Sequence, residues 1–435
     1  MAGGQRPAVN DAREVAATVW HMESARIVGA LARFTGDFAL AEDVAQEALA
    51  EALVSWPREG VPREPAAWLM TVGRRRAIDA FRRRAALDER HATLAHELGE
   101  GGVSSGSGSG SSGRSASDEL LFDPDHIDDD LLALIFIACH PLLSPDAQVA
   151  LTLRVTGGLT SDEIARAFLV PTATVQARIT RAKKTLSAAC IPFEVPSSDE
   201  RRARLPSVLS VVYVIFTEGS TATSGDTLIR TDLAHEAVRL ARVLARLVPD
   251  ESEVHGLLAL LELTAARFPA RLGPDGDPVL LADQDRRRWD VAAVRRGRAA
   301  LAQAGRVGRG LGAFGLQAAI AECHAVTPTV EATDWQQIVV LYEALGRVAP
   351  SPVVELNRAV ALSMARGPSA GLQVVDDLMS EPQLAGTHLL PSVRGELLVR
   401  LGRTDEARSE LARAVSLCGN ARERGVLERK LRDLG

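Results

Sequence analysis

Residues 99–117 read GEGGVSSGSGSGSSGRSAS, and this stretch limits the fold more than any other. It has almost no apolar side chain to bury, and a Gly/Ser run of this kind behaves as a flexible coil. Such a coil is not threaded through a core, so the segments before and after it fold as separate bodies. On both sides the apolar residues recur with a helical period. Aromatics make up only 4% of the chain, and Ala, Leu and Arg dominate, a mix that favours helices over sheets. The expectation is an all-α protein: two small helical domains flanking the coil and a larger helical-repeat domain after them. The boundaries read as a flexible N-terminus (1–22), a first helical domain (23–98) and a linker (99–128) that runs into the acidic DPDHIDDD. A second helical domain (129–190) follows, and after the break CIPFEVPSS a long helical extension (191–435).

Several classes are excluded early. Cys139, Cys190, Cys323 and Cys418 are far apart in sequence, so they offer neither metal-ligand spacing nor a disulfide framework. No cofactor or metal is expected. The most apolar run, Leu131–Leu143, is interrupted by His140 and Pro141 and is too short to span a bilayer. No basic segment followed by an apolar run stands at the N-terminus. A cytoplasmic protein without a membrane partner is expected.

The formal net charge is -6, yet WLMTVGRRRAIDAFRRR, Trp68–Arg84, holds six arginines and one aspartate. A helical wheel puts Met70, Ala77 and Phe81 on an apolar side and Trp68, Val72, Arg75, Asp79, Arg82 and Arg83 opposite. Arginines neutralise phosphates, and an aromatic beside them offers a stacking platform for an unstacked base. The equally simple reading is a tryptophan capping the core with solvated arginines around it. Upstream, LAEDVAQEALAEAL places Leu40, Val44 and Ala48 on one face, with Leu49 and Leu53 beside them, and Asp43, Gln46 and Glu47 on another. This acidic face is either solvated or a dock for a basic partner.

GGLTSDEIARAFLVPTATVQARITRAKKTL is more specific. Thr160 and Glu163 have capping-box spacing, LVP makes a turn, and Thr172 is placed to cap a second helix reaching about Ser187. On that helix Val175, Ile179, Ala182 and Leu186 form a narrow apolar stripe. Ala173, Thr174, Ala177, Thr180, Arg181 and Lys184 point away from it, flanked by Gln176 and Arg178. From Pro171 to Cys190 there are four basic residues and no acid. A short helix, a tight turn and a cationic second helix suit a helix-turn-helix in the major groove.

Taken in order, DFALAEDVAQEALAEAL, AAWLMTVGRRRAIDAFRRR, the flexible linker and the helix-turn-helix resemble the extracytoplasmic-function sigma factors of bacteria, the promoter-specificity subunits of RNA polymerase. VPSSDERRARLPSVLSVVYVIFTEG, LLADQDRRRWD, TDWQQIVVLYEAL and SPVVELNRAVAL are similar to the tetratricopeptide-like C-terminal extension of one subgroup. The resemblance implies a non-catalytic protein that binds core polymerase through the clamp helices of the largest subunit and the flap of the second-largest. Asp43, Gln46 and Glu47 match the clamp-docking positions. Trp68, Arg75, Arg76, Arg82 and Arg83 match the tract that opens and holds the minus-ten element. Thr174, Ala177, Arg178, Arg181 and Lys184 lie on the helix that reads the minus-thirty-five element. The chain departs from the subgroup at Thr217 and Ser220, where Asn and Tyr are usual.

The extension carries a weak repeat, with Gly367 superimposing on Gly402 at a period of 35 residues, close to the tetratricopeptide period of about 34. A helical surface of this kind fits an unidentified protein or peptide partner and control of the sigma domains in cis. Two acidic groups, Glu218, Asp226, His235 and Glu236, and Asp283, Asp285 and Asp290, match no metal motif and read as caps and salt bridges. Two rivals stay open: a free-standing helix-turn-helix regulator, and an enzyme with a DNA-binding appendix.

Overall fold

The computed structural model describes residues 9–98, 124–168, 170–220, 231–273, 278–308 and 310–434. The chain divides into two compact units, residues 1–166 with 170–208, and residues 167–169 with 209–435. Among the described residues the structure is helical, apart from one isolated β-bridge between Leu272 and Pro278. The linker core, residues 99–123, lies outside the described residues.

The first unit opens with α1 (Val9–Thr35), α2 (Phe38–Glu59) and α3 (Pro65–Leu98). The tight turn between α1 and α2 needs the positive φ of Gly36, 67°. Asp37 then caps α2 by accepting N–H bonds from Ala39 and Leu40 at 2.9 and 3.2 Å. A chain expected to be loose up to residue 22 is helical from Val9, because Ala12, Ala16 and Trp20 extend the buried stripe of Ile27 and Leu31 backwards by four turns. The α2 stripe is also shifted. Ala41, Val44, Ala45, Ala48, Ala52 and Trp56 are buried, whereas Leu40, Leu49 and Leu53 are only half-buried. Small alanines let α1 and α3 approach closely, which moves the seam onto them.

Next come α4 (Pro124–Ala138), α5 (Pro145–Val155), α6 (Ser161–Phe168) and α7 (Thr172–Ala188). The acidic stretch expected to end the linker is the first turns of α4. The apolar run after it is buried from Leu131 through Cys139. No helix among the described residues is long and apolar enough to cross a membrane. Burial pushes the Cys139 thiol up to about 12, so it acts as a small apolar side chain. Cys190 differs: it is exposed, at a positive φ of 49°.

α8 (Ser198–Ser220) begins with a second capping box, Glu200 Oε2 accepting from the Ser197 N–H at 3.2 Å. The second unit continues with α9 (Thr231–Leu247), α10 (Ser252–Ala265), α11 (Val291–Val307), α12 (Ala313–Ala325), α13 (Trp335–Val348), α14 (Pro352–Arg366) and α15 (Pro368–Asp377). It closes with α16 (Pro382–Ala385), α17 (Leu389–Arg400), α18 (Thr404–Leu417) and α19 (Ala421–Arg432). Its core is a chain of local clusters. Leu260, Leu263, Leu301 and Ala318 join α10 to α12; Leu316, Ile338, Val339 and Leu362 join α12 to α14; Leu356, Val375, Leu397 and Leu398 join α14 to α17. Gly367 and Gly402, aligned in the sequence repeat, both make helix-to-helix turns at positive φ, 96° and 73°.

Candidate nucleic-acid interface

The helix-turn-helix forms where the sequence places it. Glu163 Oε2 accepts from the Thr160 N–H at 2.7 Å, and the Glu163 N–H returns a bond to the Thr160 hydroxyl at 3.2 Å. The second cap differs from expectation. Pro171 occupies the N-cap position of α7 with no side-chain cap, and Thr172 is the first helical residue, its hydroxyl donating to Asp162 Oδ1 at 2.8 Å. With Pro171 at the N-cap in extended backbone, the Thr172 hydroxyl ties α7 back to α6 rather than capping α7.

Val175, Ile179, Ala182 and Leu186 are the buried residues of α7, the stripe read from sequence. Arg181 and Lys184 are exposed, and Thr174, Ala177 and Arg178 are half-buried. Arg178 pairs with Asp146 at the start of α5, 2.7 Å away. The first turn of α7 carries no acidic residue of its own, and the carboxylate at its positive dipole end is that of Asp162 from α6, held by the Thr172 hydroxyl.

The Trp-led tract lies on α3, but its faces are rotated from the expected ones. Leu69, Met70, Val72 and Ala77 are buried, while Phe81 is exposed. Val72 therefore belongs to the core and Phe81 to the surface, since the buried positions of α3, among its described side chains, fall between Leu69 and Ala77. Trp68 is half-buried and meets Trp56 edge-on, with ring centroids 5.5 Å apart. One side of it is core and the other is available. Arg75 and Arg76 both donate to Glu51 on α2, at 2.9 and 2.8 Å, and Glu47 lies 3.8 Å from Arg76 Nε. The Arg76 hydrogen bond holds the Glu51 carboxyl below its usual range. Arg82 and Arg83 are exposed. Thr71, Arg74, Arg75, Ile78, Asp79 and Arg82 line a shallow groove along this helix.

On α2, Asp43 and Glu47 are exposed and Gln46 is half-buried. Their neighbour Glu42, which the sequence did not single out, is only 2% exposed. It accepts from Arg154 of α5 at 3.1 Å and from Lys183 of α7 at 2.7 Å, and Lys183 also pairs with Asp43. Burial alone would lower the Lys183 pKa, yet Glu42 and Asp43 raise it. Asp43, Thr180, Lys183 and Lys184 line one groove, so an acid from the first sequence block and cations from the second share a surface. The missed residues, Glu42, Arg154 and Lys183, carry no local signal: their partners are 112 and 141 positions away.

Three acids of the extension are caps or pairs. Asp285 and Asp290 cap their helices, and Glu236 pairs with Arg239 at 2.7 Å; Asp226 lies outside the described residues. His388, Cys418 and Glu423 come together, but His388 lies 3.5 Å from Glu423, and the Cys418 thiol contacts the Asn420 carbonyl at 3.5 Å with its pKa raised by burial. A protonated thiol is a poor metal ligand.

A three-helix bundle with a half-exposed tryptophan on a basic helix, followed by a helix-turn-helix with a cationic second helix, defines a DNA-binding protein of the transcription-initiation type. Family models agree: residues 20–86 match Sigma-70 region 2, residues 133–186 match Sigma-70 region 4, and residues 204–305 match a family of unknown function, DUF6596. The chain is 42% identical over 416 residues to the uncharacterized protein R00370 of Rhizobium meliloti (strain 1021), covering 93% of this chain and 92% of that protein. No solved structure matches the chain. The chain is of one family with the Rhizobium meliloti protein and carries Sigma-70 region 2 and region 4 domains, which imply promoter recognition and belong to a non-catalytic family.

Proposed function

We propose that this protein is an extracytoplasmic-function type of sigma factor, acting in the cytoplasm, whose C-terminal helical extension controls its activity in cis. In this reading Asp43, Gln46 and Glu47 dock on the clamp helices of the polymerase largest subunit, and region 4 engages the flap of the second-largest. Trp68 with Arg75, Arg76, Arg82 and Arg83 holds the melted minus-ten element, the indole stacking on a base and the guanidiniums meeting phosphates. Thr174, Ala177, Arg178, Arg181 and Lys184 present small and cationic groups to the minus-thirty-five major groove. The observation that carries the reading is the pairing of a region 2 bundle with a helix-turn-helix whose exposed face bears Arg181 and Lys184.

The extension supports a tetratricopeptide-like reading through its consecutive helix pairs, glycine turns and neighbour-only core clusters. A surface of this kind takes a protein or peptide partner, and occupancy there would shift the balance of sigma-domain states.

In vitro transcription with core polymerase, with and without the full chain, tests this. Discrete new start sites are expected only with the protein, and Glu47→Arg should reduce them by weakening polymerase binding. Tight duplex binding without polymerase, and no transcripts, would move the assignment to a free-standing regulator. Deleting residues 200–435 should change promoter output strongly; unchanged output would reject control in cis.

A further inference from the structure

Between α10 and α11 the second unit gathers arginines without giving them acids. Arg267 stands two residues past the end of α10, and Arg286 opens the short turn Arg286–Arg288 that precedes α11. Both guanidiniums lie over the Trp289 ring, 5.6 and 5.1 Å from its centroid. The two arginines are half-buried and Trp289 is only 5% exposed. Elsewhere in this unit even more exposed arginines meet carboxylates, as Arg242 and Arg296 meet Glu262. Among the described residues neither Arg267 nor Arg286 makes an ion pair. Glu331 acts on Arg286 from the surface without pairing with it. Arg271, which also faces Arg267, donates to the Ser220 carbonyl at the end of α8, 2.6 Å away.

The hydrogen bonds here fix the two arginines and leave donors over. Arg286 Nη1 donates to the Thr327 carbonyl and hydroxyl, at 2.6 and 2.9 Å, just past the end of α12. Its Nη2 is buried without a partner among the described residues, and so are Trp289 Nε1 and His324 Nδ1. Arg267 makes one side-chain bond, from Nε to Gln284 Oε1 at 3.4 Å, and Gln284 in turn donates to the Val279 carbonyl at 3.0 Å. The terminal nitrogens of Arg267 are uncommitted. Burial, then Arg271 and Arg286, lowers the Arg267 guanidinium to about 10. Burial, then Arg267 and Arg286, lowers the His324 imidazole to about 4. Near neutral pH the arginines are therefore charged and His324 is neutral, in a place short of negative charge. Buried cations and donors left in that condition are costly.

We propose that Arg267, Arg286 and the Trp289 indole form a binding site for a phosphoryl dianion, either inorganic phosphate or the phosphate of a small phosphorylated metabolite. Two guanidiniums call for two negative charges, which a phosphoryl group supplies near neutral pH and a single carboxylate does not. Tetrahedral oxygens accept from donors that arrive from several directions, and guanidinium forks suit them. Arg286 is anchored beforehand at the end of α12 and Arg267 by Gln284, so little side-chain freedom is lost on binding. The site lies wholly within the second unit and does not depend on the sigma-factor reading. It gives the extension a small-molecule input, separate from a protein partner.

The test is isothermal titration calorimetry of the full chain near neutral pH with inorganic phosphate and, separately, glycerol 3-phosphate, at an ionic strength held constant with sodium chloride. Saturable binding at one site per chain is expected, with a rise in the melting temperature of the second unit. Tighter binding of glycerol 3-phosphate assigns the site to a metabolite, and binding of inorganic phosphate alone assigns it to the free ion. Arg267→Met and Arg286→Met keep an apolar stem on Trp289 and should each weaken binding at least about tenfold. Arg287→Met, at a side chain that is 91% exposed and paired with Asp285, should leave binding unchanged. No saturable heat from either probe with the wild-type chain would overturn the proposal, and that result does not depend on the folding of a variant. Equal weakening by Arg287→Met would reduce the site to a general basic patch, and equal binding of acetate would reduce it to a carboxylate site; either overturns the assignment.

Discussion

Two buried glutamates, one in each unit, make the same arrangement to different ends. Glu262 on α10 is 2% exposed and is held by Arg242 of α9 at 2.6 Å and Arg296 of α11 at 3.1 Å. Glu42 on α2 is also 2% exposed and is held by Arg154 and Lys183. The cations of Glu262 stand 20 and 34 positions away, on the helices before and after it. Those of Glu42 stand 112 and 141 positions away, beyond a Gly/Ser linker. The cation side chains differ too: Arg242 and Arg296 are 48% and 47% exposed, Arg154 and Lys183 only 16% and 15%. A local clamp reinforces helices that their own cores already hold together. A long-range clamp with nearly buried cations is stable only while two domains stay closed, so opening them changes the charges that the molecule presents.

The comparison yields predictions in decreasing size. The neighbour-only cores of the second unit should carry its stability. Leu398→Ala, at a fully buried position, should cost about 4 kcal/mol in urea unfolding of that unit; a loss under about 1 kcal/mol would show that the local cores are not what holds it. Removing the charge of Glu42 by Glu42→Gln leaves the mostly buried Arg154 without its carboxylate, while Lys183 keeps Asp43, and should cost about 3 kcal/mol of region 2–region 4 packing, seen as faster proteolysis in the linker with the second unit unaffected. Glu262→Gln leaves its arginines half in water and should cost only about 1–2 kcal/mol. Equal effects from the two glutamates would erase the distinction between them.

Smaller effects come from turns and surface pairs. Gly402→Ala meets no atom within 4 Å, so its effect is the backbone strain of a side chain at a φ of 73°, about 1 kcal/mol. In the first unit, Glu51 is titrated below its ordinary value by Arg76 and Arg75. Its contribution is therefore fully present above the unfolded carboxylate range, about pH 4.3, and is lost as pH falls through the lower folded value. For a partly exposed pair this amounts to no more than about 1 kcal/mol. Acid titration of Glu51→Gln against the parent chain checks it: the stability difference between them should shrink as pH falls below 4.

Most of what the sequence by itself determined is local. The capping box of Thr160 and Glu163, the stripe of Val175, Ile179, Ala182 and Leu186, and the glycine turns at 367 and 402 depend on residues within four positions of one another or on one backbone angle. Spacing alone therefore reveals them. The tertiary structure decided what depends on neighbours distant in the chain. A helical wheel puts Phe81 on the apolar side of α3 and Val72 with the arginines, whereas packing buries Val72 and leaves Phe81 exposed. The wheel also does not tell Glu42 from Asp43, adjacent acids on one helix. Glu42 is buried and Asp43 exposed because α5 and α7 close over that edge of α2 and bring two cations with them. Charge pairs of this kind form wherever packing brings opposite charges together, and packing across a flexible linker leaves no period in the sequence to read.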